Sequence, residues 1–121
     1  MSHAVDPADL ASASARYGNT PFLLYALADG SARINHVVAQ VADVEPIVTI
    51  HGFGRGVVRR VEGGAPLSLL WPARNPDDFS LIADGIGSID AATDSDEPTL
   101  RVHVTKAVLH RPAPVDGKAT C

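Results

Sequence analysis

The sequence predicts a mainly β protein: six antiparallel strands curled into a small barrel, a short N-terminal helix and a short crossover helix. Three observations predict it. Apolar runs recur between turn and breaker residues such as Asp29-Gly30-Ser31, Pro46, Pro66 and Pro72. Leu100, Val102 and Val104 alternate with Arg101, His103 and Thr105, the two-residue period of a strand with one buried and one wet face. Little of the chain has helical periodicity, so the sheet must cover its own second face, and curling into a barrel does that while removing exposed edges.

The elements follow in order. Asp6-Pro7-Ala8-Asp9 reads as a helix start, with Asp6 capping free amides, Pro7 in the first position and Asp9 at the positive end of the dipole. Gly18 stops it, giving a helix over 6–18 whose apolar stripe is Leu10, Ala13 and Tyr17. The barrel is expected over 22–110. Phe22–Leu27 and Ile34–Val41 form a hairpin, Ile47–His51 is a third strand entered after Pro46, and Leu67–Trp71 is a fourth between two prolines. Phe79 to Ile89 is the fifth, with a bulge or bend at Gly85 and Gly87, and the alternating stretch from Leu100 is the sixth. An acidic loop over 90–98 and a loose polar tail over 112–121 complete the chain.

Of the 121 residues 45% are hydrophobic and 20% charged, which fits a single domain over 1–121 with a core that needs no disulfide or metal staple. The formal charge of −4 has the wrong sign for nucleic-acid binding through the overall field. No apolar run approaches the roughly 20 residues that span a bilayer, and the N-terminus lacks the regions of a signal peptide. With Cys121 as the only cysteine, a cytoplasmic protein is expected.

Few residues carry recognisable chemistry. Gly52-Phe53-Gly54-Arg55-Gly56-Val57-Val58-Arg59-Arg60 sets flexible backbone beside three arginines, a candidate cradle for a phosphate or other anion, although solvated arginines on a glycine-rich connection read equally from the spacing. Val57 stands where a dinucleotide fingerprint needs its third glycine, and no Walker lysine follows. His3, His36, His51, His103 and His110 show no local metal-ligand spacing, which leaves a metal-binding jelly roll without support. His36 and His51 read as hydrogen-bonded strand histidines or as two walls of one pocket. No nucleophile elbow occurs, and Asp77-Asp78 and the acidic run from Asp94 read as solvated surface. Trp71, the one tryptophan, reads either as core or as a stacking surface for a flat ligand.

The order of elements, together with Ser68-Leu69-Leu70-Trp71-Pro72, Ser80-Leu81-Ile82-Ala83-Asp84-Gly85 and Ala107-Val108-Leu109-His110-Arg111-Pro112, resembles the pyridoxamine 5′-phosphate oxidase-like family over about Phe22 to Pro114. These are split β-barrels that bind FMN or the deazaflavin F420, and the resemblance is to their small bacterial members of unassigned substrate. It implies a homodimeric oxidoreductase with flavin at the subunit interface, passing a hydride to or from a small conjugated substrate. By position, Asn35, His36, Val37 and Val38, with Thr49 to His51, would face the flavin ring, Trp71 would lie beside it, and Gly54, Arg55, Arg59 and Arg60 would hold the phosphate. The flavin ring does the chemistry in such proteins, so no catalytic side chain is required. The crossover departs from the family: Gly54-Arg55-Gly56-Val57-Val58 stands where relatives carry more arginines and a hydroxyl. That departure puts the phosphate site in question and opens the alternative of a non-catalytic dimer that holds flavin, heme or another planar ligand, or no cofactor at all.

Overall fold

The opening residues pair as a strand before any helix begins. In a computed structural model that describes residues 2–90 and 97–113, β1 (Ser2–Val5) lies antiparallel to the end of the last strand, with Ser2 opposite His110. The expected helix follows as one turn of 3-10 helix (Pro7–Asp9), α1 (Leu10–Ser14) and a second 3-10 turn (Ala15–Tyr17). The Asp6 carboxylate accepts from the Ala8 amide at 3.0 Å, Pro7 takes the first position, and Gly18 ends the run at φ 83°. Leu10 is fully buried and Ala13 and Tyr17 pack against the core, so this stretch is held by tertiary contacts rather than by length.

The remaining strands are β2 (Phe22–Ala26), β3 (Ala32–His36), β4 (Val38–Val41), β5 (Ile47–His51), β6 (Pro66–Trp71), β7 (Ser80–Asp90) and β8 (Thr99–His110), with α2 (Arg55–Glu62) crossing between β5 and β6. They form one curled antiparallel sheet in the order β3-β2-β6-β7-β8-β5-β4, with β1 added on β8. The expected count of six is therefore corrected to eight among the described residues. β1 is one addition. The other arises because the single run expected over Ile34–Val41 divides at Val37 and changes partner, β3 pairing β2 and β4 pairing β5. The amides of Val37 and Ala39 donate to the carbonyls of Pro21 and Asn19, so the same segment stays bonded to the chain ahead of β2 while its opposite edge takes up β5.

The core lies on the inward face: Leu23, Val48, Ile50, Val57, Leu67, Leu69, Trp71, Leu81, Leu100 and Val102 are almost wholly removed from water. β8 alternates as expected through Leu100, Val102 and Val104, and it continues further, to His110. The expected irregularity on β7 is a register shift at Asp84/Gly85, where Gly85 pairs Val104 and Asp84 pairs Lys106, leaving Thr105 as the extra residue. A Cβ on Gly85 would strike the His103 carbonyl, so only glycine permits this approach. Among the described residues no helix is long and apolar enough to cross a membrane. The acidic stretch over 91–96 and the tail over 114–121 lie outside the described residues.

Candidate functional site

β5 leaves the sheet at Gly52, whose φ of 80° turns the chain away from β4 just beyond the His51–Val38 pair. At this fork Thr20, His36, Val37, Val38 and Gly52 line a cleft of about 170 Å³. Val37 is buried, while Val38 keeps 43% of its surface exposed. The His36 ring lies 4.5 Å from that of Phe22 at 16°, a stacked cross-strand pair, and its Nε2 is 2.9 Å from the Thr20 carbonyl. A carbonyl only accepts, so Nε2 carries the proton in this contact. His51 is exposed opposite Val38, next to the cleft residue Gly52.

Asn35 points the other way. It is half-buried and its amide donates to the Tyr25 hydroxyl at 3.4 Å. Tyr25 in turn abuts α2, since a Cβ on Gly56 would stand 3.1 Å from its hydroxyl oxygen. Sequence reasoning missed Tyr25 and explained Gly56 as flexible backbone, whereas the glycine also leaves room for the Tyr25 hydroxyl, which a side chain there would crowd. Gly54 is the N-cap of α2 and supplies no side-chain cap, so the first-turn amides rely on other acceptors. Arg55 and Arg59 are exposed on α2. Arg60 is not equivalent to them: it is half-buried, and its Nε donates to the Ala26 carbonyl at 2.8 Å, tying α2 to β2.

Two expected residues lie elsewhere. Thr49 is half-buried and lines a larger cleft, about 540 Å³, between the N-terminal helical stretch and β4, with Ser14, Gly18, Asn19, Gln40 and Asp43. Trp71 is 1% exposed, so its ring is spent on core packing and offers no face to a flat ligand. Asp78, read as solvated surface, instead joins distant parts of the chain. It accepts from the Phe79 amide and from Arg16 at 2.9 Å, while Tyr17 donates to the Phe79 carbonyl at 2.7 Å. The Phe79 amide, then Arg16, hold its carboxyl below the ordinary range. Among the described residues no three His, Cys, Asp or Glu side chains group as a metal site.

The geometry brings His36, Val37 and Val38 together at the fork and separates Thr49 and Trp71, which the sequence groups with them, from it. No family model and no curated protein matches the chain.

Proposed function

We propose that the chain is an FMN- or F420-dependent oxidoreductase of the pyridoxamine 5′-phosphate oxidase-like kind, a homodimer that moves a hydride to or from a small conjugated substrate. The observation that carries this reading is the cleft at the fork, which gathers three of the residues that the resemblance turns toward the flavin ring. Its lining suits a planar group: two valines give apolar walls, His36 presents an exposed ring already stacked on Phe22, and Gly52 adds no side chain. The backbone runs from Gly52 to Gly54 and into α2, which carries Arg55 and Arg59 in solvent, where a phosphate would need them. Bonds from Val37 and Ala39 to the chain ahead of β2, with β4 on β5, support a split barrel as the underlying fold. When bound, the flavin would supply the hydride-accepting ring, and the chain's residues would hold and orient it.

A second reading has its own observation. Arg60 spends its Nε on Ala26, which leaves Arg55 and Arg59 as the crossover's free-standing charges and favours a non-catalytic dimer that holds a planar ligand weakly. Near-ultraviolet and visible absorbance of the purified protein, before and after dialysis with FMN or F420, separates the two. Retained flavin bands, bleached by a reductant and restored by turnover of an added acceptor, support the oxidoreductase. A protein that takes up neither cofactor rejects it. If Arg55 or Arg59 meets the phosphate, changing either to Ala weakens flavin binding by about 10- to 100-fold, the size of one charge-assisted bond.

A further inference from the structure

Hydrogen-bond parity along the segment from Ala32 to Ala42 exposes an unpaired strand edge. The Val37 amide bonds the Pro21 carbonyl, and the Leu27 amide bonds the Ser31 carbonyl. In an antiparallel pair the bonded positions alternate, so Arg33 and Asn35 also turn their backbone groups toward β2. Ala32, Ile34 and His36 turn theirs away. Beyond Val37 the outward positions are used: Ala42 donates to Ile47, and Gln40 and Val38 stand opposite Thr49 and His51 of β5. β5 departs at Gly52, and from there back to Ala32 the outward edge has no strand partner among the described residues.

This edge is thinly protected: Arg33 is its one charge, and the Arg33 guanidinium donates to the outward carbonyl of Ala32 at 3.2 Å. It contains no proline and no bulge, every β3 residue except Asn35 is exposed, and Ile34 at its centre is 60% exposed. Next to Ile34 on the same face lies Leu24, its cross-strand neighbour.

We propose that this edge pairs with the same edge of a second copy, antiparallel about a two-fold axis at Ile34. The register follows from the residues. Centred on Ile34, all three outward positions find partners: Ile34 meets the second copy's Ile34, and Ala32 meets the second copy's His36, giving six backbone hydrogen bonds in total. Arg33 then stands opposite the second copy's Asn35. A register moved toward Ala32 sets Arg33 against its own copy, two like charges face to face, and one moved toward His36 brings in Val38, which already pairs β5. The favoured register also joins Leu24, Ile34 and their copies into one apolar strip across the axis. Asn35 and His36 lie on the joined strands, so the interface runs beside the cleft at the fork.

Ile34→Pro tests this. Its lost amide points away from β2, so the hairpin keeps its own bonds, while the dimer loses the central pair. Sedimentation equilibrium of the wild-type chain is expected to show a dimer, and Ile34→Pro to weaken it at least about tenfold with an unchanged far-ultraviolet spectrum. Ile34→Lys, which keeps the amide but sets like charges across the axis, gives the same weakening should the proline variant misfold. Amide exchange at Ile34 and His36 is expected to slow as protein concentration rises. A wild-type monomer, a dimer indifferent to both substitutions, or concentration-independent exchange at these two amides overturns the proposal. The pairing shares with the flavin reading the expectation of a second copy and the residues Asn35 and His36, but neither needs the other. A dimer with these properties that takes up no flavin leaves the pairing standing and removes the oxidoreductase; flavin bound by a monomer does the reverse.

Discussion

The β7–β8 hairpin and the β2–β3 hairpin are built on the same antiparallel geometry and face opposite situations. β7 and β8 are paired over their whole lengths, they bury Leu81, Ala83, Leu100, Val102 and Ala107, and each has further strands on its other edge. β2 buries Leu23 and is flanked by β6, but β3 buries nothing and has one edge unoccupied. The shorter hairpin is held at its turn instead, where the Asp29 carboxylate takes both the hydroxyl and the amide of Ser31. Strand pairing alone does not decide how much a hairpin contributes to stability; what lies on its second edge and inner face does. In this chain the well-covered hairpin carries the fold, and the thinly covered one borders the candidate site.

The contrast breaks most visibly at the covered side. Trp71→Ala removes a fully buried ring opposite Leu81 and is expected to cost about 3–5 kcal/mol, read as a fall in denaturant midpoint at constant slope. Gly85→Ala pushes a methyl into the His103 carbonyl and Val102, so a loss of about 3 kcal/mol is expected, with faster amide exchange on both sides of the bulge. On the thinly covered side, Arg60→Ala removes one bond to the Ala26 carbonyl and is expected to cost about 1 kcal/mol. Its sharper signature is local: exchange in α2 accelerates while β7 and β8 are unchanged. The smallest effect belongs to Asp78. Its carboxyl titrates below the ordinary value in the folded chain, so the contribution is present above the unfolded pKa, near 4, and is lost as pH falls through the folded one. Asp78→Asn is expected to remove its share of the acid-side slope, and with it a small part of the stability at neutrality, small because the ion pair is solvent-exposed.

Local signals carried much of the fold. Asp6, Pro7 and Gly18 bounded the helix because capping is a matter of a few adjacent atoms, and the alternation at Leu100–Val104 marked β8 for the same reason. Val37 left no such mark. A strand that changes partner keeps its two-residue period, so β3 and β4 read as one run. Ser2–Val5 carries no buried residue to give it a pattern and becomes a strand only because the end of β8 offers an edge. The site was legible in part. His36, Val37 and Val38 were placed together by strand position, but Thr20 and Gly52 joined them through pairings remote in sequence. Arg60 was grouped with Arg55 and Arg59 by composition, and only the position of Ala26 separates it.

The reach of β8 has a kinetic side. On one edge it meets β7, its neighbour in sequence, but on the other it meets β5 and then β1, whose Ser2 lies 108 positions before His110. Closing so long a loop returns little until the contacts behind it exist, and chains dominated by such contacts fold slowly. A newly made copy is therefore expected to hold its β7–β8 ribbon early and to dock β5 and β1 late, with the far edge of β8 open to other chains in the interval. Yield on refolding should then depend on protein concentration more steeply than the stability of the finished fold would suggest.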